Sequence, residues 1–485
     1  MKLISRSWLP SYCFCLILHL FSGAAHGETK TPPNVILILA DDLGFGDLGC
    51  YGQKKIKTPH IDRVATEGMK FMTAYSGNAV CAPSRCCLMT GKHPGHAYVR
   101  NNGQWKPNVQ WSGQTPLPEN TVTLPKLFKK KGYTTAAMGK WGLGSPENSG
   151  DPAKQGIDYF FGNYCQSHAH NHYPQYIFRN GTKVELDGND GTATGKQFTQ
   201  DHFESEALTF LKEHKDRPFF LYLPFTIPHL ALQVPDDSLA EYRGKFEETP
   251  YQGKAYQHHD TPRAAYAAMI TRMDRTIGRV MNLLKEFNLD ENTLVLFSSD
   301  NGAIDGYAGT DAKFFGSIGG LRGMKGSLYE GGIRVPLIAR WPGQIKPGTT
   351  SNLPTASWDL LPTLCEAANL SAPKNIDGIS ILPTLLGRDE QKIHDFLYWE
   401  FPGYGGQQAV RSGRWKAVRQ KMTKGPSELE LYDLQADPAE KTDVAAKNPE
   451  IVKKLELIMK QEHTPSKEFP LPSVDPPAKK KVDKK

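Results

Sequence analysis

Four short segments of the chain consist almost entirely of apolar, often β-branched residues. They cover residues 34–40, 219–223, 293–297 and 335–339, and the first contains the run Val-Ile-Leu-Ile-Leu. A strand with one solvated face alternates apolar and polar positions, whereas a strand buried on both faces is apolar throughout. The pattern therefore predicts strands of a mostly parallel sheet that is covered on both sides.

Helical periodicity occupies the segments between these strands. The clearest case places apolar side chains on one helix face, at alternating steps of four and three residues: Tyr266, Ile270, Met273, Ile277, Val280 and Leu284. Strands that alternate with such helices predict an open α/β fold. Ligands of these folds bind beyond the carboxyl ends of the strands. Three of the predicted strands lead there to polar clusters: Asp41-Asp42, Pro228-His229 and Asp300-Asn301.

The pattern changes after about residue 385, where short strands and a single helix follow. Residues 449–461 predict a helix with Ile451, Leu455 and Ile458 facing inward. We therefore expect a large α/β domain over residues 28–385 and a smaller α+β subdomain over residues 386–464. The antiparallel strands of this subdomain are predicted at 397–401, 409–411, 415–418 and 429–432.

The two ends of the chain differ from its body. Residues 1–27 carry Lys2 and Arg6, an apolar run over 13–21 and small residues at the end, which is the pattern of a cleaved secretory signal peptide. A membrane anchor is the alternative, but the apolar run is shorter than the ~20 residues of a spanning helix. Residues 465–485 are rich in Pro and Lys and predict a disordered tail.

Composition and charge narrow the choice of partners. A chain of 485 residues with 39% hydrophobic and 22% charged residues can bury a large core. Its net charge of +7 suggests a polyanion such as nucleic acid. Removing residues 1–27 leaves +5, however, and removing residues 479–485, which hold five Lys and one Asp, leaves +1. The near-neutral body argues against nucleic acid, and no interior apolar stretch reaches the ~18 residues of a transmembrane span.

The predicted strand ends offer a set of oxygen ligands. Asp41 and Asp42 follow the first strand, and Asp300 and Asn301 follow the third. Adjacent carboxylates repel each other unless a cation lies between them, and Ca²⁺ and Mg²⁺ prefer oxygen ligands. A turn with an Asp helix cap is the alternative for Asp41-Asp42 taken alone. The two clusters together favour a metal site.

A third segment, Cys81-Ala82-Pro83-Ser84-Arg85, is typical of the start of a helix. Pro is favoured in the first turn, and Arg85 would lie on the same face as Cys81. The helix dipole and the guanidinium would then favour a reactive thiolate at Cys81. The alternative is a helix start with a buried Cys and a surface Arg.

This segment and others in the chain resemble one enzyme family. Cys-x-Pro-Ser-Arg followed by Thr90-Gly91 looks like the modification signature of the formylglycine-dependent (type I), arylsulfatase-like sulfatases of the alkaline phosphatase superfamily. The resemblance implies a large mixed, mostly parallel sheet sandwiched by helices, with a smaller C-terminal α+β subdomain. Further motifs occur in family order through most of the chain: Ala40-Asp41-Asp42, Gly139-Lys140-Trp141, Pro228-His229, Asp300-Asn301-Gly302, Gly323-Met324-Lys325-Gly326 and Leu431-Tyr432-Asp433-Leu434.

The resemblance implies a modified nucleophile and a metal. A formylglycine-generating maturation enzyme would oxidise Cys81 to Cα-formylglycine, whose hydrated aldehyde attacks the sulfur of a sulfate ester and later expels sulfate. Asp41, Asp42, Asp300 and Asn301 would bind a divalent cation, Ca²⁺ by resemblance, with Mg²⁺ as the alternative.

The resemblance also implies roles for four charged or titratable residues. Arg85 would steady the hydrated aldehyde and the metal carboxylates. Lys140 and Lys325 would neutralise charge on the sulfate and the leaving oxygen. His229 would protonate the leaving alcohol.

The chain departs from the family at one position. Family members often have His two residues after the Lys of Gly-Lys-Trp, and Gly142 stands there instead. The segment 166–172, Gln-Ser-His-Ala-His-Asn-His, suggests that His168 or His170 supplies the missing substrate contact. The alternatives are solvent-facing histidines on a loop at the substrate rim and, with less support because no strong fourth ligand accompanies them, a zinc site.

The sequence therefore predicts an exported sulfatase, periplasmic, secreted or lysosomal, that acts on a sulfated carbohydrate or an aryl sulfate. A phosphate or phosphonate ester hydrolase of the same superfamily is one alternative. A catalytically silent protein that binds sulfated glycans is another, although a pure binder has no need of the Cys81 nucleophile.

Overall fold

The computed structural model describes residues 32–103, 106, 113–425 and 427–476. The predicted signal peptide and the Lys-rich end of the chain lie outside these residues. Within them, no helix combines the length and the apolar composition needed to cross a membrane.

Strands account for the buried apolar segments that the sequence marks, and several more are added by tertiary pairing. The described strands are β1 (Asn34–Ala40), β2 (Met69–Phe71), β3 (Ala74–Tyr75), β4 (Thr134–Lys140), β5 (Tyr159–Asn163), β6 (Tyr176–Arg179), β7 (Thr182–Glu185), β8 (Phe219–Pro224), β9 (Thr293–Ser299), β10 (Leu337–Arg340), β11 (Thr349–Ser351), β12 (Thr355–Ala356), β13 (Leu397–Phe401), β14 (Gln407–Ser412), β15 (Trp415–Arg419) and β16 (Glu430–Asp433).

Helices fill the connections, and the longest is the one with the clear apolar face. The described α-helices are α1 (Pro59–Thr66), α2 (Cys81–Thr90), α3 (Leu124–Lys130), α4 (Thr199–Glu213), α5 (Asp236–Leu239), α6 (Pro262–Glu286), α7 (Ala312–Phe315), α8 (Glu330–Ile333), α9 (Leu360–Ala367), α10 (Leu382–Leu385) and α11 (Pro449–Glu462).

Ten of the described strands form one mixed sheet, in the order β11-β2-β10-β9-β1-β8-β4-β5-β6-β7. The five central strands, β9 to β5 in this order, are parallel, whereas β10 pairs with β9 in the antiparallel sense. Successive residues of β1 enter two separate hydrophobic cores, with Val35, Leu37 and Leu39 in one and Ile36 and Ile38 in the other. Burial on both faces explains the continuous apolar sequence of β1 and confirms the predicted fold class.

The C-terminal part forms a four-stranded antiparallel sheet, β13-β14-β15-β16, against which α11 packs. Leu455 and Met459 of α11 are buried, and Ile451 and Ile458 pack beside them. This arrangement agrees with the predicted small antiparallel sheet and helix.

The prediction of a disordered tail from residue 465 is wrong for the part that the structure describes. Leu471 is fully buried, Phe469 belongs to the main core, and Asp475 pairs with His463 at 2.9 Å. The prediction was based on proline-rich composition, which gives no information on tertiary contacts. Here the buried side chains of Phe469 and Leu471 and the ion pair of Asp475 hold a segment that has no regular secondary structure. Residues 477–485 lie outside the described residues.

Candidate active site

Four neighbouring strands of the sheet deliver polar residues to one edge. Asp41 follows β1, Asp300 follows β9, Lys140 ends β4, and His229 lies in the loop after β8. The backbone N–H of Asp300 donates to the carbonyl of Ala40 at 3.1 Å, so the Asp41-Asp42 pair and the Asp300-Asn301 pair lie side by side. These residues therefore lie together at the carboxyl ends of neighbouring strands, where ligands of open α/β sheets bind.

Cys81 is the first residue of α2 and lies against Asp41 and Lys325. Its side chain is 1% exposed, and its Sγ lies 3.6 Å from Asp41 Oδ1 and 3.6 Å from Lys325 Nζ. A residue that starts a helix has non-helical backbone before it, which lets α2 point its first side chain into the strand-end cluster.

The expected reactive thiolate at Cys81 is contradicted by its surroundings. Burial raises the pKa of the Cys81 thiol to about 12, although Lys140 and Lys325 act in the opposite direction. Nearby Asp41 and Asp300 raise the pKa further. The unmodified side chain is therefore a neutral thiol at physiological pH, because the two lysines do not offset its removal from water.

Arg85, one turn further along α2, is fully buried rather than a surface residue. Its Nε and Nη2 donate to Asp300 Oδ2 at 3.1 and 2.8 Å, and its Nη1 donates to the carbonyl of Lys140 at 2.5 Å. Its Nη2 also lies 3.4 Å from Asp41 Oδ2. One guanidinium thus joins three of the converging elements.

Two lysines complete the charge balance. Lys140 Nζ lies 2.6 Å from Asp41 Oδ2, and Lys325 Nζ lies 2.7 Å from Asp42. Lys325 comes from the loop before α8, where its backbone N–H bonds to the carbonyl of Ala303 at 2.9 Å. The described cluster therefore sets three cationic side chains against three carboxylates.

The ligand set fits a hard divalent cation. Asn301 Nδ2 donates to Asp42 Oδ1 at 2.7 Å, whereas Asn301 Oδ1 is buried and has no hydrogen-bond partner among the described residues. A buried acceptor that no protein donor satisfies is rare and indicates an unfilled interaction. Asp42 itself adopts a left-handed backbone with φ of 64°, an uncommon conformation for a residue other than glycine. The four oxygen-bearing residues Asp41, Asp42, Asp300 and Asn301 match the ligands that Ca²⁺ and Mg²⁺ take.

Two of these carboxylates titrate in opposite directions. Burial alone would raise the pKa of Asp41, but Lys140, His229, Arg85 and Lys325 together hold it well below its usual value. The pKa of Asp300 is raised to about 6, first by burial and then by the charge of Asp41.

His229 presents one ring nitrogen to the cluster. Its Nδ1 bonds to the carbonyl of Leu230 at 2.6 Å, and its Nε2 lies 3.6 Å from Asp42 Oδ2. Because a carbonyl accepts, Nδ1 carries the proton and Nε2 carries the lone pair in the neutral ring. Burial, with Lys325 next, holds the pKa of His229 well below its usual value.

The two histidines proposed from the sequence lie in different surroundings. The His170 ring stacks on the His229 ring, with centroids 4.5 Å apart, and its Nδ1 lies 3.3 Å from the Tyr256 hydroxyl. The His168 ring packs on Tyr176, with centroids 4.8 Å apart. The structure therefore brings the ring of His170, and not that of His168, against His229.

The space beside Gly142 is filled by a residue that the sequence did not single out. A Cβ at Gly142 would lie 2.1 Å from Gln166 Nε2 and 3.7 Å from Arg85 Cδ. Gln166 is 4% exposed, and its amide has no hydrogen-bond partner among the described residues. Gln166 is the first residue of the segment 166–172. The sequence predicted the missing contact at a histidine of this segment and not at Gln166. Tyr256, which lies beside His170, is not part of any motif recognised in the sequence.

The comparisons with known proteins agree with this geometry. A family model described as Sulfatase matches residues 33–370, and one described as N-sulphoglucosamine sulphohydrolase, C-terminal, matches residues 324–464. Arylsulfatase A of Homo sapiens is 32% identical over 92% of this chain and 90% of its own length. N-acetylgalactosamine-6-sulfatase of Canis lupus familiaris is 33% identical over 76% of this chain and 68% of its own. The crystal structure of Ps i-CgsB in complex with k-i-k-neocarrahexaose has a TM-score of 0.75 and 28% identity, and covers 90% of this chain and 94% of that one.

Proposed function

Because this chain belongs to the sulfatase family and is a sulfuric ester hydrolase, we propose that it is exported and removes sulfate from sulfated carbohydrates. Support for the substrate comes from the relatives, since one is named for N-acetylgalactosamine-6-sulfate and one is solved with a neocarrahexaose. Support for export comes from the signal-peptide pattern of residues 1–27.

The arrangement around Cys81 carries the proposal. A neutral thiol in this position cannot serve as a strong nucleophile, and it lies within 3.6 Å of both an acid and an ammonium group. After conversion of Cys81 to formylglycine, the hydrated aldehyde supplies the hydroxyl that attacks sulfur. Its two hydroxyls would lie near Asp41 and Lys325. The Asp41 carboxylate can accept a proton from a hydroxyl, and the Lys325 ammonium can stabilise negative charge on the oxygen.

Asp41, Asp42, Asp300 and Asn301 would hold Ca²⁺ or Mg²⁺. When bound, the cation polarises a sulfate oxygen and stabilises developing negative charge. Arg85 orients Asp300 with two donors on one carboxylate oxygen. Its guanidinium therefore holds Asp300 in position within the ligand set.

Lys140 and Lys325 would stabilise negative charge on the transferred sulfate. Both ammonium groups lie at carboxylates in this structure, 2.6 Å from Asp41 and 2.7 Å from Asp42. A cation in the carboxylate site would compete for those oxygens, and the lysines would then face the anionic substrate. In a buried site, such charges act with little screening.

His229 would handle the proton of the leaving alcohol at Nε2. The Leu230 carbonyl fixes the ring orientation through Nδ1 and leaves Nε2 directed at the cluster. The negative charge of a bound sulfate ester favours the imidazolium form, which can donate its Nε2 proton as the ester oxygen leaves.

The modification is tested by mass spectrometry. The protein is co-expressed with a formylglycine-generating maturation enzyme and digested with trypsin, which releases residues 71–85 as one peptide. We expect this peptide to be lighter than the Cys form by about 18 Da, the difference between thiol and aldehyde at the nucleophile. Full sulfatase activity with an unmodified Cys81 peptide contradicts the mechanism.

The activity is tested with 4-nitrophenyl sulfate and matched variants. Cys81→Ala is expected to lose at least about 1,000-fold in kcat, because the nucleophile is gone. Cys86→Ala is the control, since Cys86 is equally buried in α2 and has no place in the cluster. Equal turnover of 4-nitrophenyl phosphate and 4-nitrophenyl sulfate would favour the phosphatase alternative instead.

A further inference from the structure

A cleft of about 520 Å³ opens next to His229. His170 connects the two, because its ring stacks on His229 with centroids 4.5 Å apart and also lines the cleft. Tyr256 lines the cleft from the other side, with its hydroxyl 3.3 Å from His170 Nδ1. The cleft thus begins where the leaving alcohol must lie if His229 protonates it.

Aromatic and amide side chains line this cleft. Tyr307 is 49% exposed and meets Tyr256 edge to face, with ring centroids 5.8 Å apart. Asn171, Gln175 and Gln257 add amide groups around them. A sugar ring needs this combination, because its C–H faces are apolar and its hydroxyls need hydrogen-bond partners.

The cleft carries no positive side chain in the part that the structure describes. Its lining includes no Lys or Arg, and Asp190 is its only carboxylate. Hydrogen bonds from the Thr192 side chain and backbone lower the pKa of Asp190, so it stays ionised. Burial lowers the pKa of His168 to about 4 and that of His170 to about 2, so both are neutral at pH 7.

Lys183, which lies beside the cleft residue Tyr176, is already paired. Lys183 Nζ lies 4.0 Å from the centroid of the Tyr176 ring and 2.8 Å from Glu185. A second sulfate or a carboxylate on the leaving sugar would meet the charge of Asp190 and no Lys or Arg among the described residues that line the cleft.

We propose that this cleft binds the leaving alcohol as an otherwise uncharged sugar ring and selects monosulfated sugars over sugars that carry a second acidic group. The Asp190 carboxylate excludes the second anion, and Tyr307 supplies the apolar platform. This inference rests on the proposed sulfatase activity, since the cleft is defined relative to His229.

The test compares pairs of substrates with the matured full-length enzyme. Hexoses sulfated at C2, C3, C4 or C6 are each compared with the corresponding disulfated sugar, and 4-nitrophenyl sulfate reports the basal reaction. We expect the best monosulfated hexose to exceed its disulfated counterpart by at least about tenfold in kcat/KM, which corresponds to one unfavourable charge contact. Equal values for the two, or turnover of the aryl sulfate but of no hexose, would overturn the proposal.

A charge-reversal variant separates the cleft from the chemistry. Asp190→Lys is expected to raise kcat/KM for the disulfated sugar, relative to that for the monosulfated sugar, by about tenfold. Asp187→Lys is the control, because Asp187 is exposed on the same loop and does not line the cleft. If both variants change the ratio equally, the effect is one of overall charge and the proposal is wrong.

A second variant tests the platform. Tyr307→Ala is expected to raise KM for the monosulfated hexose by about fivefold or more with kcat nearly unchanged, since the ring would contribute uniform binding. A fall in kcat with constant KM contradicts that role. Loss of activity toward every sulfate ester in the unaltered enzyme would instead contradict the sulfatase proposal itself, so the two failures are distinguishable.

Discussion

Asn301 is anchored to Asp42 through its Nδ2, at 2.7 Å, while its Oδ1 is buried and accepts no hydrogen bond. The two residues lie 259 positions apart in the chain. The same Nδ2 also donates to the carbonyl of Gly302 at 3.0 Å. An amide that is held in place through its nitrogen, with its oxygen left open, has the form of a cation ligand that is prepared before the ion arrives.

This relationship predicts a metal-dependent stability. Ca²⁺ at about 100 times its dissociation constant should stabilise the enzyme by about 2.7 kcal/mol, because it binds only the folded state. Asn301→Ala should weaken that effect by removing one ligand, and a chelator should abolish turnover. Thermal unfolding with and without Ca²⁺ measures both.

Asn34→Ala is the control for this experiment. Asn34 is also buried, but it begins β1, at the end of the strand opposite Asp41. It should lower the melting temperature without changing the Ca²⁺-induced shift. An equal shift in Asn301→Ala and the unaltered enzyme would contradict the assignment of Asn301 as a ligand.

Arg85→Lys should impair both stability and turnover. Lysine cannot place two donors on Asp300 Oδ2 and a third on the Lys140 carbonyl, so buried acceptors lose partners at a cost of about 1–3 kcal/mol. The displaced Asp300 should also lower kcat and Ca²⁺ affinity. Urea unfolding and steady-state kinetics report the two effects separately.

Arg340→Lys provides the matched comparison. Arg340 is 2% exposed, binds both oxygens of Asp290 at 2.8 Å and also bonds to Glu67, away from the catalytic cluster. Its replacement should reduce the free energy of unfolding to a similar extent and leave kcat unchanged. A comparable loss of kcat in both variants would show that stability alone limits activity.

Gly142→Ala should be more destabilising than a strained backbone alone explains. Gly142 has a φ of +79°, where a Cβ costs about 1–2 kcal/mol, and that Cβ would lie 2.1 Å from Gln166 Nε2. Replacing Gln166 with Ala should remove the clash but not the backbone strain. A double-mutant cycle by urea denaturation should therefore show coupling above about 0.5 kcal/mol.

Gly132→Ala isolates the backbone contribution. Gly132 has a similar φ of +88°, but no atom lies within 4 Å of the place its Cβ would take. Gly132→Ala should therefore lower the free energy of unfolding only by the cost of backbone strain. Equal destabilisation at positions 142 and 132 would mean that Gln166 does not occupy the space beside Gly142.

The attachment of the C-terminal segment should weaken at alkaline pH. Burial opposes the charged form of His463, but hydrogen bonds to Glu400 and Asp475, at 2.7 and 2.9 Å, outweigh it and raise its pKa. A raised histidine pKa stabilises the folded state fully below the unfolded value of about 6.5, and that contribution is lost as pH rises through the folded value. Proteolysis within residues 465–476 should therefore accelerate above neutral pH.

His463→Gln should show rapid proteolysis of this segment at every pH. His258→Gln is the control, since His258 is exposed and pairs only with the exposed Asp260. The prediction fails if the unaltered protein is cleaved at the same rate at pH 6 and at pH 9 after correction for protease activity.

Local sequence determined much of the scaffold, because a strand that is buried on both faces has a continuous apolar sequence. The run in β1 and the face of α6 are apolar for reasons that act within a few residues. The short strands β5 to β7 were not predicted from the apolar pattern. The sequence of β10 also did not indicate that it would pair with β9 in the antiparallel sense. Those features depend on partners far away in the chain.

The candidate site divides in the same way. Strand-end positions and the family motif pointed to Cys81, Arg85 and the proposed oxygen ligands, because the topology of parallel sheets and the motif can both be recognised from the sequence. Whether the Cys81 thiol ionises, which histidine reaches His229 and what fills the space beside Gly142 were decided only by tertiary structure. Each depends on burial and on contacts between distant segments, as Gln166 shows by occupying space that a glycine 24 residues earlier leaves open.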